Sequence, residues 1–152
     1  MSKGKLIFEY FDQFTKYDTP HIVFSISKSI TSLLLGVLSR EINLDLNNKI
    51  SKIIPEIKDS AYENATVRNI LDMNVSSGFI EDYTGEAEIF KKYRSCTGWD
   101  LIDGSIKDLP LDMYDFLSNL PSSELSHGTK YHYSSPHSDL LGWVIELSLI
   151  HI

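Results

Sequence analysis

"FSISKSITSLLLGVL", Phe24–Leu38, is the stretch whose reading decides the fold. Ile26, Ile30, Leu33, Leu34, Val37 and Leu38 recur at i, i+4, i+7, i+8, i+11 and i+12, the period of a helix. Leu35 adds a second apolar face, so the pattern predicts a helix buried nearly all round. Gly36 inside it costs about 1 kcal/mol relative to alanine, which predicts a neighbour packed closely at that point. Against this apolar background the helix opens on Ser25, and Lys28 follows one turn later.

Serine and lysine at i and i+3 lie on the same side of a helix, about one turn apart. The helix start presents unpaired N–H groups and the positive end of the dipole, which stabilise a serine alkoxide and make a nearby ammonium easier to deprotonate. Apolar surroundings push the lysine the same way. Bringing a lysine from about 10.4 to near neutrality takes ~3 pH units, or ~4 kcal/mol, of such bias. A neutral lysine can accept the serine proton, and the N–H of Ser25 itself would be one oxyanion donor. The plainer reading is that Ser25 caps the helix and Lys28 is a first-turn surface lysine. Spacing by itself does not separate the two, since Ser2 and Lys5 repeat it with no role assigned.

A second polar cluster lies far downstream in "YHYSSPHSDLLGWVIE", where Tyr133, Ser134 and Ser135 directly precede a helix. A tyrosine held near a lysine can relay a proton to a leaving group. A small polar residue two positions on, Ser135, can hold the lysine or a substrate amide.

The 152 residues suit one domain with a real core. Apolar residues make up 42% and charged residues 23%, ordinary for a globular protein. The net charge of −7 argues against a nucleic-acid partner and weakly against anionic membranes. The single cysteine, Cys96, builds neither a disulfide framework nor a cysteine zinc site. No apolar run reaches the ~18 residues of a membrane span. The start, "MSKGKLIFEYFDQF", lacks a secretory core, so the chain reads as cytoplasmic.

Along the chain, "LIFEYF", Leu6–Phe11, reads as a strand. A short helix is expected to end near Pro55, and another runs from an N-cap at Thr66 to about Met73. The segment from Ile89 to Leu111 reads as irregular. "LDMYDFLSNLP" is a short amphipathic helix stopped by Pro121, "KYHY" is strand-like, and a final helix starts at Ser138 or Asp139. The sum is about five helices and one or two short strands.

Taken together, these segments resemble the serine β-lactamase and penicillin-binding superfamily. The branch is the class C-like one of 6-aminohexanoate-dimer hydrolases and related esterases. "GKLIFEYF" resembles the strand before the nucleophile, and "FSISKSITSLLLG" the nucleophile helix, with Ser25 matching the serine and Lys28 the lysine. "TVRNILDMNVSSGFIEDY" and "YRSCTGWD" resemble the middle region. "HGTKYHYSSPHSDLLGWVIE" resembles the Tyr-x-Asn segment, with Tyr133 matching the tyrosine and Ser135 standing where many relatives carry Asn.

The resemblance implies an α/β (α+β) fold of the beta-lactamase/transpeptidase type. It implies a serine hydrolase in which Ser25 attacks an amide or ester and Lys28 and Tyr133 shuttle protons. No cofactor or metal is expected, and the partner is a small-molecule amide or ester. The family domain is more than twice as long, and its Lys-Thr-Gly-like strand has no counterpart here; "HGT" at His127–Thr129 falls in the wrong order. Residues 1–146 therefore read as a truncated domain, mainly its helical lobe, with little or no activity by itself. The ending "LSLIHI", residues 147–152, reads as a non-native tail. The alternative is a module of the same superfamily that binds ligand without turnover.

His127, His132 and His137 fall within eleven residues but lack the i, i+4 pairing of a helical zinc site, so polar loop residues are the preferred reading. A Ser-His-Asp triad would lack the usual G-x-S-x-G elbow. Glu81, Asp82, Glu86 and Glu88 read as a solvated acidic face. Tyr83, Tyr93 and Trp99 are candidates either for a substrate cleft or for core filling.

Overall fold

The computed structural model describes residues 1–99 and 104–150. Five α-helices are found among them: α1 (Ile26–Glu41), α2 (Val67–Leu71), α3 (Glu88–Thr97), α4 (Met113–Ser118) and α5 (Ser135–Ile150). Two single turns of 3-10 helix, Ile50–Lys52 and Pro55–Ile57, link α1 to α2. α5 is the hub: α1, α2 and α4 all pack on it, and α3 packs on α4. Among the described residues no helix is long and apolar enough to cross a membrane.

Local chemistry explains most of the boundaries. Thr66 and Asn69 form a reciprocal capping box at α2: the Asn69 N–H donates to Thr66 Oγ1 at 3.1 Å and the Thr66 N–H to Asn69 Oδ1 at 3.0 Å. Asp112 accepts the Asp115 N–H at 2.9 Å and caps α4. α5 starts three residues earlier than Ser138, at Ser135. Pro136 is tolerated in the first turn because its missing N–H would have had no helical partner there.

The core gathers Leu35 and Leu38 of α1, Ile50, Ile54 and Ile57 of the 3-10 turns, Tyr62, Ile70, Phe79, and Leu140, Leu141 and Val144 of α5. Burying each such aliphatic side chain is worth about 1.5–3 kcal/mol.

Several expectations fail. Leu6–Phe11 forms no strand; the described residues hold only isolated bridges, Ser2 with Lys5, Lys49 with Thr66, and Ser77 with Ser122. A strand needs a ladder partner, and "LIFEYF" has none there; its apolar side chains stand exposed. "KYHY" likewise forms no strand, and among the described residues its one backbone bond is His132 N–H to Met73 O at 2.6 Å. α1 is not buried all round: only Leu35 and Leu38 are buried, while Ile26, Ile30, Leu33, Leu34 and Val37 face outward. A Cβ at Gly36 would meet nothing within 4 Å, so no neighbour packs there.

α3 occupies a stretch expected to be irregular, and Asp100–Asp103 of that stretch lie outside the described residues. Its cues were present in Glu88 in the first turn and Gly98 at the end, left-handed at φ 71° as a C-terminal glycine often is. Ile89, Phe90, Tyr93 and Cys96 keep helical spacing between them.

Candidate active site

Ser25 sits at the N-cap of α1 with helical backbone angles, φ −68° and ψ −4°, and its side chain caps nothing. Ser25 is held there by a left-handed residue before it: Phe24 has φ 43°, a conformation a bulky side chain adopts only when its surroundings enforce it. The Phe24 ring stacks on Trp99, centroids 5.6 Å apart.

Freed from capping, the Ser25 hydroxyl is the meeting point of two side chains. Lys28 Nζ donates to Ser25 Oγ at 3.1 Å. The Tyr133 hydroxyl, 108 residues away in sequence, donates to the same oxygen at 2.8 Å. Lys28 Nζ also lies 5.7 Å from the centroid of the Tyr133 ring. Ser25 is exposed and Lys28 half-buried. The Ser25 N–H donates to no other backbone group among the described residues.

The aliphatic residues of α1 do not enclose Lys28, which is half-buried and shares its cleft with Phe24, Phe90 and Trp99. The inward face of α1 carries Lys28, Thr31, Ser32, Leu35 and Leu38; Ile26, Ile30, Leu34 and Val37 are exposed, and Leu33 edges a hollow beside Ser25, Lys28 and Tyr133. The polar neighbours of Lys28 are the Ser25 hydroxyl, the Tyr133 phenol and, across the same cleft, Asp139.

Tyr133 is fixed from both sides. Before it, the His132 N–H bonds Met73 O, and the Gly128 N–H bonds Asn74 O at 2.9 Å. After it, Glu81 receives Ser135 twice: the backbone N–H reaches Oε2 at 2.8 Å and the hydroxyl reaches Oε1 at 2.7 Å. Glu81 Oε1 also accepts the Tyr83 hydroxyl at 2.7 Å. Burial and this carboxylate together push the Tyr83 phenol up to about 12. Glu81 is thus no member of a solvated acidic face. Asp82 differs from it, accepting the Thr84 hydroxyl and the N–H groups of Ala87, Thr84 and Glu86 ahead of α3, and these bonds hold its carboxyl down at about 2.

Ser25, Lys28, Ser135 and Asp139 line one cleft of about 480 Å³, within the usual range for small-molecule sites, and Tyr83 and Trp99 wall it. Tyr93 serves both roles weighed for it. It packs with Phe79 and Phe116, and its hydroxyl donates to Asp139 Oδ2 at 2.8 Å. Burial raises the Asp139 carboxyl, while the Tyr93 bond and the Lys28 charge act against that rise. A hollow of about 620 Å³ between α3 and α4 is larger but is lined, among the described residues, by no hydroxyl or thiol side chain.

His127 and His132 lie in the loop before α5, as expected, and His137 does not. His137 lies fully buried in the first turn of α5, with Nδ1 3.1 Å from the Tyr62 hydroxyl, and burial pushes it down to about 3. His127 Nδ1 accepts the Ser76 N–H at 3.1 Å. No group of three His, Cys, Asp or Glu among the described residues could hold a metal ion.

The structure therefore brings Ser25, Lys28 and Tyr133 into hydrogen-bond contact and puts Ser135 in the same cleft, one partner removed. Sequence reasoning missed Asp139, although it stands four residues after Ser135 and so shares its helix face. The tie between Glu81 and Ser135 spans 54 residues and left no local signal.

Comparison with known proteins adds an independent line. The family model described as Beta-lactamase matches residues 3–148. The chain is 30% identical over 145 residues to the 6-aminohexanoate-dimer hydrolase of Paenarthrobacter ureafaciens, covering 94% of this chain and 35% of that protein. Among solved structures it superposes with a TM-score of 0.77 and 22% identity on "Putative 6-aminohexanoate-dimer hydrolase from Bacillus anthracis", covering 92% of this chain and 36% of that one. The chain thus spans about a third of the length of each of these relatives.

Proposed function

The chain belongs to the beta-lactamase family, and on that footing we propose that it carries the acyl-serine machinery of a hydrolase for amide or ester bonds. The substrate class is a small linear amide of the 6-aminohexanoate type or a carboxylic ester. Ser25 Oγ attacks the carbonyl carbon, and an Oγ–C bond forms as the C–N or C–O bond to the leaving group breaks. The proton leaving Oγ has two neighbours within reach, Lys28 Nζ at 3.1 Å and the Tyr133 hydroxyl at 2.8 Å. The same pair returns a proton to the leaving nitrogen or oxygen. Water then cleaves the acyl-serine and releases the acid. The Ser25 N–H at the mouth of α1 supplies one donor for the developing oxyanion.

One observation carries this reading. A serine at an N-cap ordinarily spends its oxygen on the helix, and Ser25 spends it on a lysine and a tyrosine drawn from opposite ends of the chain. A fluorophosphonate probe is expected to label the 152-residue chain at Ser25 and to leave Ser25→Ala unlabelled. Labelling that survives Ser25→Ala, or none in the parent chain, sinks the proposal. Turnover of esters by these residues alone is expected to be slow, because Ser25 is exposed to water. The rival reading, ligand binding without turnover, draws on Ser135 being engaged by Glu81; a stable adduct that never releases product distinguishes it.

A further inference from the structure

We propose that Glu81 is a positioning residue: its carboxylate clamps the first residue of α5 and thereby holds the Tyr133 hydroxyl on Ser25. This rests on the acyl-serine reading above and adds to it a residue outside the reacting atoms. Ser135 is two residues from Tyr133, and Glu81 takes both of its donors, the N–H at 2.8 Å and the hydroxyl at 2.7 Å. An anion at the start of a 16-residue helix is stabilised by the helix dipole, which reinforces the clamp. The other end of the Tyr133 segment is pinned at Met73 through His132, so the phenol is suspended between two anchors. A charged hydrogen bond is the stronger kind, and the Glu81 anchor has two of them. The hydroxyl of Ser135, given over to Glu81, serves this clamp rather than donating to substrate. Glu81 also holds Tyr83, which walls the cleft, so one carboxylate ties the proton-handling side to the binding side.

The test reads the rate of Ser25 labelling per reactive site at saturating fluorophosphonate, apart from the fraction of molecules that label. Displacing a reacting group by about 1 Å can cost ~100-fold, so Glu81→Ala is expected to slow labelling by ~30- to 100-fold and Glu81→Gln by ~10-fold. The labelled fraction should not change. Ser135→Ala keeps the backbone bond and should lose only ~3-fold, and Glu81→Gln with Ser135→Ala should lose less than the product of the two, since they act through one contact. Glu86→Gln, on an exposed acid of the same loop, is the control and should match the parent chain. By NMR, the Ser135 amide resonance should shift in Glu81→Gln and stay put in Glu86→Gln.

A lower melting temperature with an unchanged rate per site would make Glu81 merely structural and overturn the proposal, as would strict additivity of the two substitutions. If Glu81→Ala does not fold, the isosteric Glu81→Gln and the double variant decide. No labelling of Ser25 in the parent chain would instead defeat the acyl-serine reading, and with it this one. Labelling that is present but indifferent to Glu81 defeats only the clamp.

Discussion

α1 and α5 are both 16 residues long, both rich in leucine and isoleucine, and packed against each other, yet they treat their apolar side chains in opposite ways. In α5, Leu140, Leu141 and Val144 are essentially sealed from water, at 0%, 1% and 0% exposure. In α1, Ile30, Leu33 and Val37 stand 60%, 71% and 58% exposed. The difference lies in what each helix has to present to the centre. α5 is surrounded by α1, α2 and α4, so its aliphatic residues find neighbours on several sides. α1 turns inward the face that carries Lys28, Ser32, Leu35 and Leu38, where Lys28 meets the Tyr133 ring. Its apolar stripe is left on the other side. A continuous exposed stripe of this kind marks an interaction face or an aggregation hazard. The lesson is that apolar content predicts that a helix will be covered, and says nothing about which face the rest of this chain covers.

The largest test strikes where the two helices meet. Tyr133→Phe, just ahead of α5, and Lys28→Met, in α1, should each slow acylation of Ser25 by ~10²- to 10⁴-fold, the usual weight of general acid–base groups. Both variants should denature in urea like the parent chain. Rates within threefold of the parent would break the link between the helices at its functional point.

Next comes packing. Leu140→Ala in α5 should lower unfolding free energy by about 2–5 kcal/mol in urea titrations. A loss well below that range would mean that α5 is less enclosed than described.

Per pH unit, a smaller effect distinguishes the two helices. α5 buries His137, whose imidazole is pushed down to about 3, whereas α1 buries no histidine. Above about pH 6.5 the ring is neutral in both folded and unfolded chains, and its contribution is constant. As pH falls from there towards 3, the unfolded chain takes up a proton that the folded chain refuses. Stability then drops by about 1.4 kcal/mol per pH unit from this group. Below about 3 the loss levels off. His137→Asn should flatten that component of the stability–pH curve; an unchanged slope counts against a buried neutral imidazole.

The smallest effect is the sharpest contrast. Leu33→Ala in α1 deletes the same atoms as Leu140→Ala and should move stability by no more than about 0.5 kcal/mol. Equal costs at the two leucines would erase the distinction between the helices.

Much of this was legible in the sequence where the governing interaction is local. The start of α1 after Ser25, the capping box at Thr66 and the helix after Asp112 all depend on residues within four positions of one another, and they lie where spacing and cap chemistry put them. α3 belongs to the same class and was missed although Glu88 and Gly98 bracket it, because aromatic and charged residues mask its period. The pairing of Ser25 with Lys28 followed from one helical turn. Tyr133 could be joined to them only through family resemblance, since 108 residues intervene. Glu81 was misread as a solvent-facing acid, because an ion that is held by its hydrogen-bond partners looks, in sequence, the same as one that is not.

By itself the sequence determined the helical segments other than α3, the serine–lysine turn and the acidic, cysteine-poor character of the chain, because those follow from bonds and spacings along a few residues. Only the tertiary structure decided that the apolar stripe of α1 faces out, that the Ser25 hydroxyl meets Tyr133 instead of capping its helix, and that Glu81 grips the start of α5. Those outcomes depend on which surfaces meet in space. Burial and hydrogen bonding between distant segments are set by the packing of the whole chain, and no local period encodes them.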